Sequence, residues 1–139
     1  KQYTNSKAII AVDLISMSEI QDVYFIQGDF LDKNIAIQIE ERLNGKKIDI
    51  ILSDMSPNTT GIKSVDHLRM INLAENILYF AQNNLSYNGS LVIKIFKGTD
   101  EERFITLLKI YFEKVKYYKP LSSRKESKEI YVVAMKYKY

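Results

Sequence analysis

Three short apolar runs in this chain each end on an aspartate or meet one within two residues. Residues 7–14 (Lys7-Ala8-Ile9-Ile10-Ala11-Val12-Asp13-Leu14) and 48–54 (Ile48-Asp49-Ile50-Ile51-Leu52-Ser53-Asp54) read as strands buried on both faces. Residues 23–27, closed by Gly28-Asp29, read as another. Helical periodicity separates and follows them. A short helix is predicted over residues 34–43, stopped at Asn44-Gly45. A longer one runs from Ser64, with Leu68, Ile71, Leu73, Ile77, Leu78 and Ala81 on its apolar side, to a stop at Asn88-Gly89. A third covers residues 100–111, with Phe104, Leu107, Leu108 and Tyr111 inward. Residues 90–96 form a fourth strand, and residues 115–119 and 129–137 two closing strands with only a loop between them. Strands alternating with helices specify an α/β fold with a mostly parallel sheet and an antiparallel strand at its C-terminal edge.

Composition narrows the function classes. A chain of 139 residues with 46% hydrophobic residues suits one domain with a real core. The absence of cysteine excludes a disulfide scaffold, a zinc ribbon and a cysteine nucleophile. The single histidine, His67, disfavours a histidine-based metal site. Charges interrupt every apolar run before it reaches the length of a membrane span, and residues 8–12 are too short for a signal-peptide core. A cytoplasmic location is the expectation. The net charge of +3 is unevenly spread: residues 112–139 hold 8 Lys and Arg against 3 Asp and Glu. There Lys114, Lys116, Lys119, Arg124, Lys125 and Lys128 are interleaved with Tyr117 and Tyr118. Such a stretch can neutralise phosphates and stack on bases. It can equally be a solvated strand pair whose lysines guard a sheet edge.

In open α/β sheets ligands bind beyond the carboxyl ends of the strands. Asp13, Asp29 and Asp54 all fall there. Asp13 could accept hydrogen bonds from the two hydroxyls of a ribose, and Asp29 one from the exocyclic amine of a base. Each could instead be a helix cap or a turn-forming aspartate. Lys94 stands inside an apolar run (Val92, Ile93, Ile95 and Phe96). Burial disfavours an ammonium, and a lysine tuned towards neutrality can abstract a proton. A head group that reaches water past the sheet edge is the alternative. Glu129, at the start of the last strand, could orient a lysine from the adjoining strand or be an ordinary surface acid. The loop Ser53-Asp54-Met55-Ser56-Pro57-Asn58 reads as functional, with a plain proline turn as the other possibility.

Taken together, these segments resemble the bacterial ribosomal RNA large-subunit methyltransferase E family, the FtsJ-type or heat-shock 2′-O-ribose methyltransferases. The matching stretches are residues 11–14, 22–30, 51–58 and 89–98, then Lys119-Pro120 and Ser122-Ser123-Arg124, and finally residues 127–134. They cover nearly the whole chain, in order. The resemblance implies a Rossmann-like fold, S-adenosylmethionine as cofactor, and methylation of a ribose 2′-hydroxyl, a uridine's, in 23S ribosomal RNA. It implies a Lys-Asp-Lys-Glu catalytic set in which Asp54, Lys94 and Glu129 take the last three places. Asp13 and Asp29 fall on the adenosine-contacting acids, and Asp54 also borders the methyl-donor end. The RNA would lie along Lys119, Arg124, Lys125 and Lys128. The implied partner is ribosomal RNA within the assembled large subunit, met by a monomer, with neither a metal nor a membrane involved.

The sequence departs from the family pattern at one end. The family's first lysine and its Gly-rich cofactor loop have no counterpart here, since no glycine precedes Gly28. The chain is therefore expected to be the C-terminal portion of a methyltransferase domain lacking the central first strand. Methylation of transfer RNA or of a messenger-RNA cap is the nearest rival function. A non-catalytic RNA-binding remnant is another, and a nicotinamide-dependent oxidoreductase is disfavoured without a visible Gly-x-Gly-x-x-Gly loop.

Overall fold

A computed structural model describes residues 8–98, 100–124 and 127–139. The chain forms two compact units, one ending at Lys46 and the other running from Lys47 to Tyr139.

In the first unit, β1 (Ile9–Asp13) and β2 (Val23–Gln27) pair in parallel, Asp13 opposite Gln27. Helix α1 (Lys33–Leu43) follows. Asp32 caps it by accepting the Asn34 N–H at 2.8 Å, and Asn44 ends it in the left-handed region at φ 48°. Ile26, Ile35 and Ile39 are the buried centre of this unit.

The second unit holds β3 (Ile48–Ser53), α2 (Lys63–Asn84), β4 (Leu85–Phe96), α3 (Glu101–Tyr111), β5 (Phe112–Tyr118) and β6 (Glu129–Tyr137). Its sheet order is β3-β4-β6-β5, parallel between β3 and β4 and antiparallel on both sides of β6. The closing antiparallel pair is thus present, with β6 inside and β5 at the edge. One face of this sheet is the core. Leu91, Ile93 and Ile95 of β4 stand beside Ala134, Val132 and Ile130 of β6, all at most 5% exposed. Against them lies the buried stripe of α2, from Met70, Ile71 and Ala74 to Ile77, Leu78 and Ala81, together with Phe104 and Leu108 of α3.

Several expectations need correction. Strands β1 and β3 were expected to be buried on both faces. Residues 9–12 are only half-buried, while Ile50 is 57% and Leu52 73% exposed. The reason is topological: among the described residues β1 pairs only with β2 and β3 only with β4, and α2 packs on one face of the β3–β4 pair. Helix α2 ends at Asn84 rather than at Asn88-Gly89, and β4 starts five residues early, at Leu85. The early part of β4 is irregular, with a register shift against β3 and Asn88 at φ 63°. Gly89 belongs there because a side chain would meet the Ser86 carbonyl oxygen at 2.8 Å. Leu68 is exposed, because the inward stripe of α2 begins at Asp66 and His67 instead.

Candidate active site

Lys94 lies on the sheet face opposite the α2 core, in alternation with the buried Ile93 and Ile95. Its side chain is only 14% exposed, and its Nζ sits 3.9 Å from Glu129 Oε1. The register explains the meeting. Lys94 pairs with Tyr131 and Phe96 with Glu129, so the acid is the diagonal neighbour of the lysine on the same face. Ser53 pairs with Ile93, which places Asp54, the next residue, beside Lys94 at the same end of the sheet. Asp54 is exposed. Three of the residues singled out in the sequence therefore gather at one edge of the second unit: Asp54, Lys94 and Glu129.

In the first unit Asp13 and Asp29 occupy the carboxyl ends of β1 and β2. Both are turn-formers: Asp13 Oδ1 accepts the Ile15 N–H and Asp29 Oδ1 the Leu31 N–H, each at 2.9 Å. Both are also exposed, and among the described residues no hydrogen bond is seen to the second carboxylate oxygen of either. The turn-forming and ligand-binding readings are thus compatible in the same side chain.

Of the basic residues, Lys119 donates to the Ser127 carbonyl at 3.0 Å, and Arg124 and Lys128 are exposed. Lys125 lies outside the described residues.

Sequence reasoning passed over the surroundings of this edge. A cavity of about 790 Å³ opens next to it, walled by Lys63 and His67 of α2, Phe96 and Lys97 at the end of β4, and Arg124 and Lys128 before β6; Glu129 reaches its rim. His67 is 7% exposed, and its Nε2 accepts the Asp100 N–H at 3.1 Å. Asp66 fastens the loop that carries Asp54. Its carboxylate accepts the Thr60 N–H at 2.6 Å, the Thr60 hydroxyl at 2.8 Å and the Gly61 N–H at 3.1 Å. Those bonds, led by the Thr60 N–H, hold the Asp66 carboxyl below its usual 3.8. Arg69 Nη1 reaches the Asn58 carbonyl in the same loop at 3.3 Å. The spacing Asp66-His67-x-Arg69 after Gly61 was the available signal, and only the fold shows what it ties down.

Parallel strand pairs flanked by helices, with an antiparallel pair in the second unit, are an α/β architecture that resembles solved methyltransferase structures. The chain belongs to the FtsJ-like methyltransferase family, whose model matches residues 1–137. It is 43% identical over 134 residues to a protein of Francisella philomiragia named ribosomal RNA large subunit methyltransferase E, covering 96% of this chain and 65% of the relative. It is 41% identical over 133 residues to the protein of that name from Xylella fastidiosa, covering 96% and 62%. The chain thus spans less than two thirds of the length of these relatives. Among solved structures, it is similar to a ribosomal RNA methyltransferase from Plasmodium falciparum at TM-score 0.82 and 34% identity, over 93% of this chain and 71% of the other.

Proposed function

We propose that the protein methylates a ribose 2′-hydroxyl of ribosomal RNA, a uridine of the 23S RNA in the large subunit, using S-adenosylmethionine. The observation that carries this reading is the Lys94–Glu129 pair at the sheet end, beside Asp54, in a chain of this family. A ribose hydroxyl attacks poorly until its proton is drawn away. Lys94 Nζ, held on a strand and largely shielded from water, takes that proton or steadies the forming alkoxide. Glu129 orients the Lys94 head from the adjoining strand. Asp54 completes the polar edge, on a loop that Asp66 and Arg69 keep in place.

The acids of the first unit fit the cofactor. The second carboxylate oxygen of Asp13 suits ribose hydroxyls, and that of Asp29 suits an exocyclic amine. S-adenosylmethionine, when bound, supplies a methyl group already activated on a sulfonium, which leaves the protein mainly the tasks of positioning and proton removal.

The test is transfer of radiolabelled methyl from S-adenosylmethionine to large ribosomal subunits by the full-length protein, with transfer RNA and capped messenger RNA as competing acceptors. Lys94→Ala is expected to abolish transfer while cofactor binding persists in calorimetry. Turnover near that of the wild type would remove Lys94 as the base, and preferred labelling of transfer RNA or the cap would reassign the substrate.

A further inference from the structure

The cavity beside Glu129 combines two independent features. Among the described residues its cations are Lys63, Lys97, Arg124 and Lys128, which come from three separate segments, and none of them is ion-paired there. The acids at its wall among the described residues are already engaged, Asp66 with the Thr60 and Gly61 donors and Glu129 with Lys94. Lys63 opens α2, whose N-cap residue Ile62 supplies no side-chain hydrogen bond, so the positive end of the helix adds to the lysine. His67 forms part of the wall behind them. It is more than nine-tenths buried in the cavity wall, and because its Nε2 accepts the Asp100 N–H, the neutral ring carries its proton on Nδ1. That Nδ1 has no hydrogen-bond partner among the described residues, and it is closed off from solvent against Gly98. The cavity measures about 790 Å³ and is open to solvent. The aromatic ring of Phe96 is part of its lining.

We propose that this cavity is a subsite for the RNA backbone flanking the target ribose, with Lys63 and Lys97 joining Arg124 and Lys128 as phosphate contacts. The proposal rests on the RNA methyltransferase reading and gives it a route for the strand. Phosphates seated here would hold the neighbouring ribose against the Lys94–Glu129 edge. Contacts of this kind position the strand and carry no sequence information.

The experiment measures binding of a fluorescein-labelled oligouridylate to the full-length protein across a salt series, with no cofactor and no turnover required. On single strands each phosphate contact contributes about 0.7 to the slope of log K against log salt. The double variant Lys63→Gln/Lys97→Gln is therefore expected to flatten that slope by about 1.4 and to weaken binding about tenfold or more at low salt. Both side chains are exposed, so the variant should melt like the wild type. Lys109→Gln, an exposed lysine in the last turn of α3, is expected to leave the slope unchanged. An unchanged slope in the double variant overturns the proposal. So does equal flattening by Lys109→Gln, or a wild type whose RNA binding ignores salt. Pocket-dependent binding without methyl transfer would overturn the catalytic reading and leave the subsite standing. Methyl transfer with a slope indifferent to Lys63 and Lys97 would do the reverse.

Discussion

Gly98 follows the sheet end that carries Lys94 and Lys97, and it is packed flat against His67. A methyl group placed on its Cα would lie 2.5 Å from His67 Cε1 and Nδ1 and 2.8 Å from Cγ, where ordinary contact begins near 3.4 Å. Nearly an ångström of overlap must be relieved by moving the ring or the backbone. The ring cannot retreat freely, since it is 7% exposed and tied through Nε2 to the Asp100 N–H. Overpacking of this kind costs about 1–3 kcal/mol. For a chain of this size each kcal/mol lowers Tm by roughly 3–5 °C, so Gly98→Ala should melt roughly 3–15 °C below the wild type by calorimetry. The cause is tested by a double-mutant cycle. His67→Ala is itself destabilising, because it removes the Nε2 acceptor of the Asp100 N–H, but it vacates the space the new methyl needs. In the His67→Ala background the further change Gly98→Ala should cost less than about 0.5 kcal/mol, giving a coupling energy of about 1–3 kcal/mol. An equal loss in both backgrounds, or no loss in the wild type, would refute the steric argument.

Two other perturbations probe the same unit. Because the Asp66 carboxyl is held below its usual 3.8, its contribution to stability is complete above that pH and is lost as pH falls through the lower folded value. The Tm difference between wild type and Asp66→Ala should therefore be constant from neutrality down to about pH 5 and narrow below about pH 4; a gap unchanged down to the lowest measurable pH would contradict the assignment. Tyr137, 4% exposed, donates its hydroxyl to the Gln82 carbonyl at 3.0 Å and packs on Phe112. Tyr137→Phe should cost about 0.5–1.5 kcal/mol, seen in urea as a lower midpoint at unchanged m; a midpoint equal to that of the wild type would show the bond to be worth nothing net.

The legible parts of the fold were those written in local pattern. Asp13, Asp29 and Asp54 stood at strand ends because an apolar run followed by an acid is a short-range signal, and the turns that Asp13 and Asp29 make are equally local. Burial was less legible. Ile50 and Leu52 sit in an unbroken apolar run, which reads as a strand covered on both faces, yet coverage depends on which helix lies over which face. The start of β4 was missed for a related reason: residues 85–89 contain Asn88 and Gly89, which signal a turn, and their strand pairing comes from β3 across the sheet. The cavity was invisible in one dimension. Its walls come from residues 63, 66–67, 96–97, 122–124 and 127–129, and no spacing rule links a histidine in α2 to a glycine after β4.

The direction of β6 decides why these groups converge. Asp54 follows the end of β3, and Lys94, Phe96 and Lys97 mark the end of the parallel neighbour β4, so all lie at the carboxyl edge of the sheet, where an α/β domain places its chemistry. A parallel sixth strand would put its first residue at the opposite edge. Because β6 enters antiparallel between β4 and β5, its first residue, Glu129, arrives opposite Phe96 and within 3.9 Å of Lys94. The segment that leads into β6 is thereby carried past the same edge, bringing Arg124 and Lys128 to the cavity that Lys63 and Lys97 face. The Lys97 N–H donates to the Lys128 carbonyl at 2.9 Å, which ties the two halves of that wall together. One reversal of strand direction therefore supplies the carboxylate partner of Lys94 and two cations, Arg124 and Lys128, of the cavity beside it, and a single-residue change of register in β6 would turn Glu129 to the other face and separate the pair.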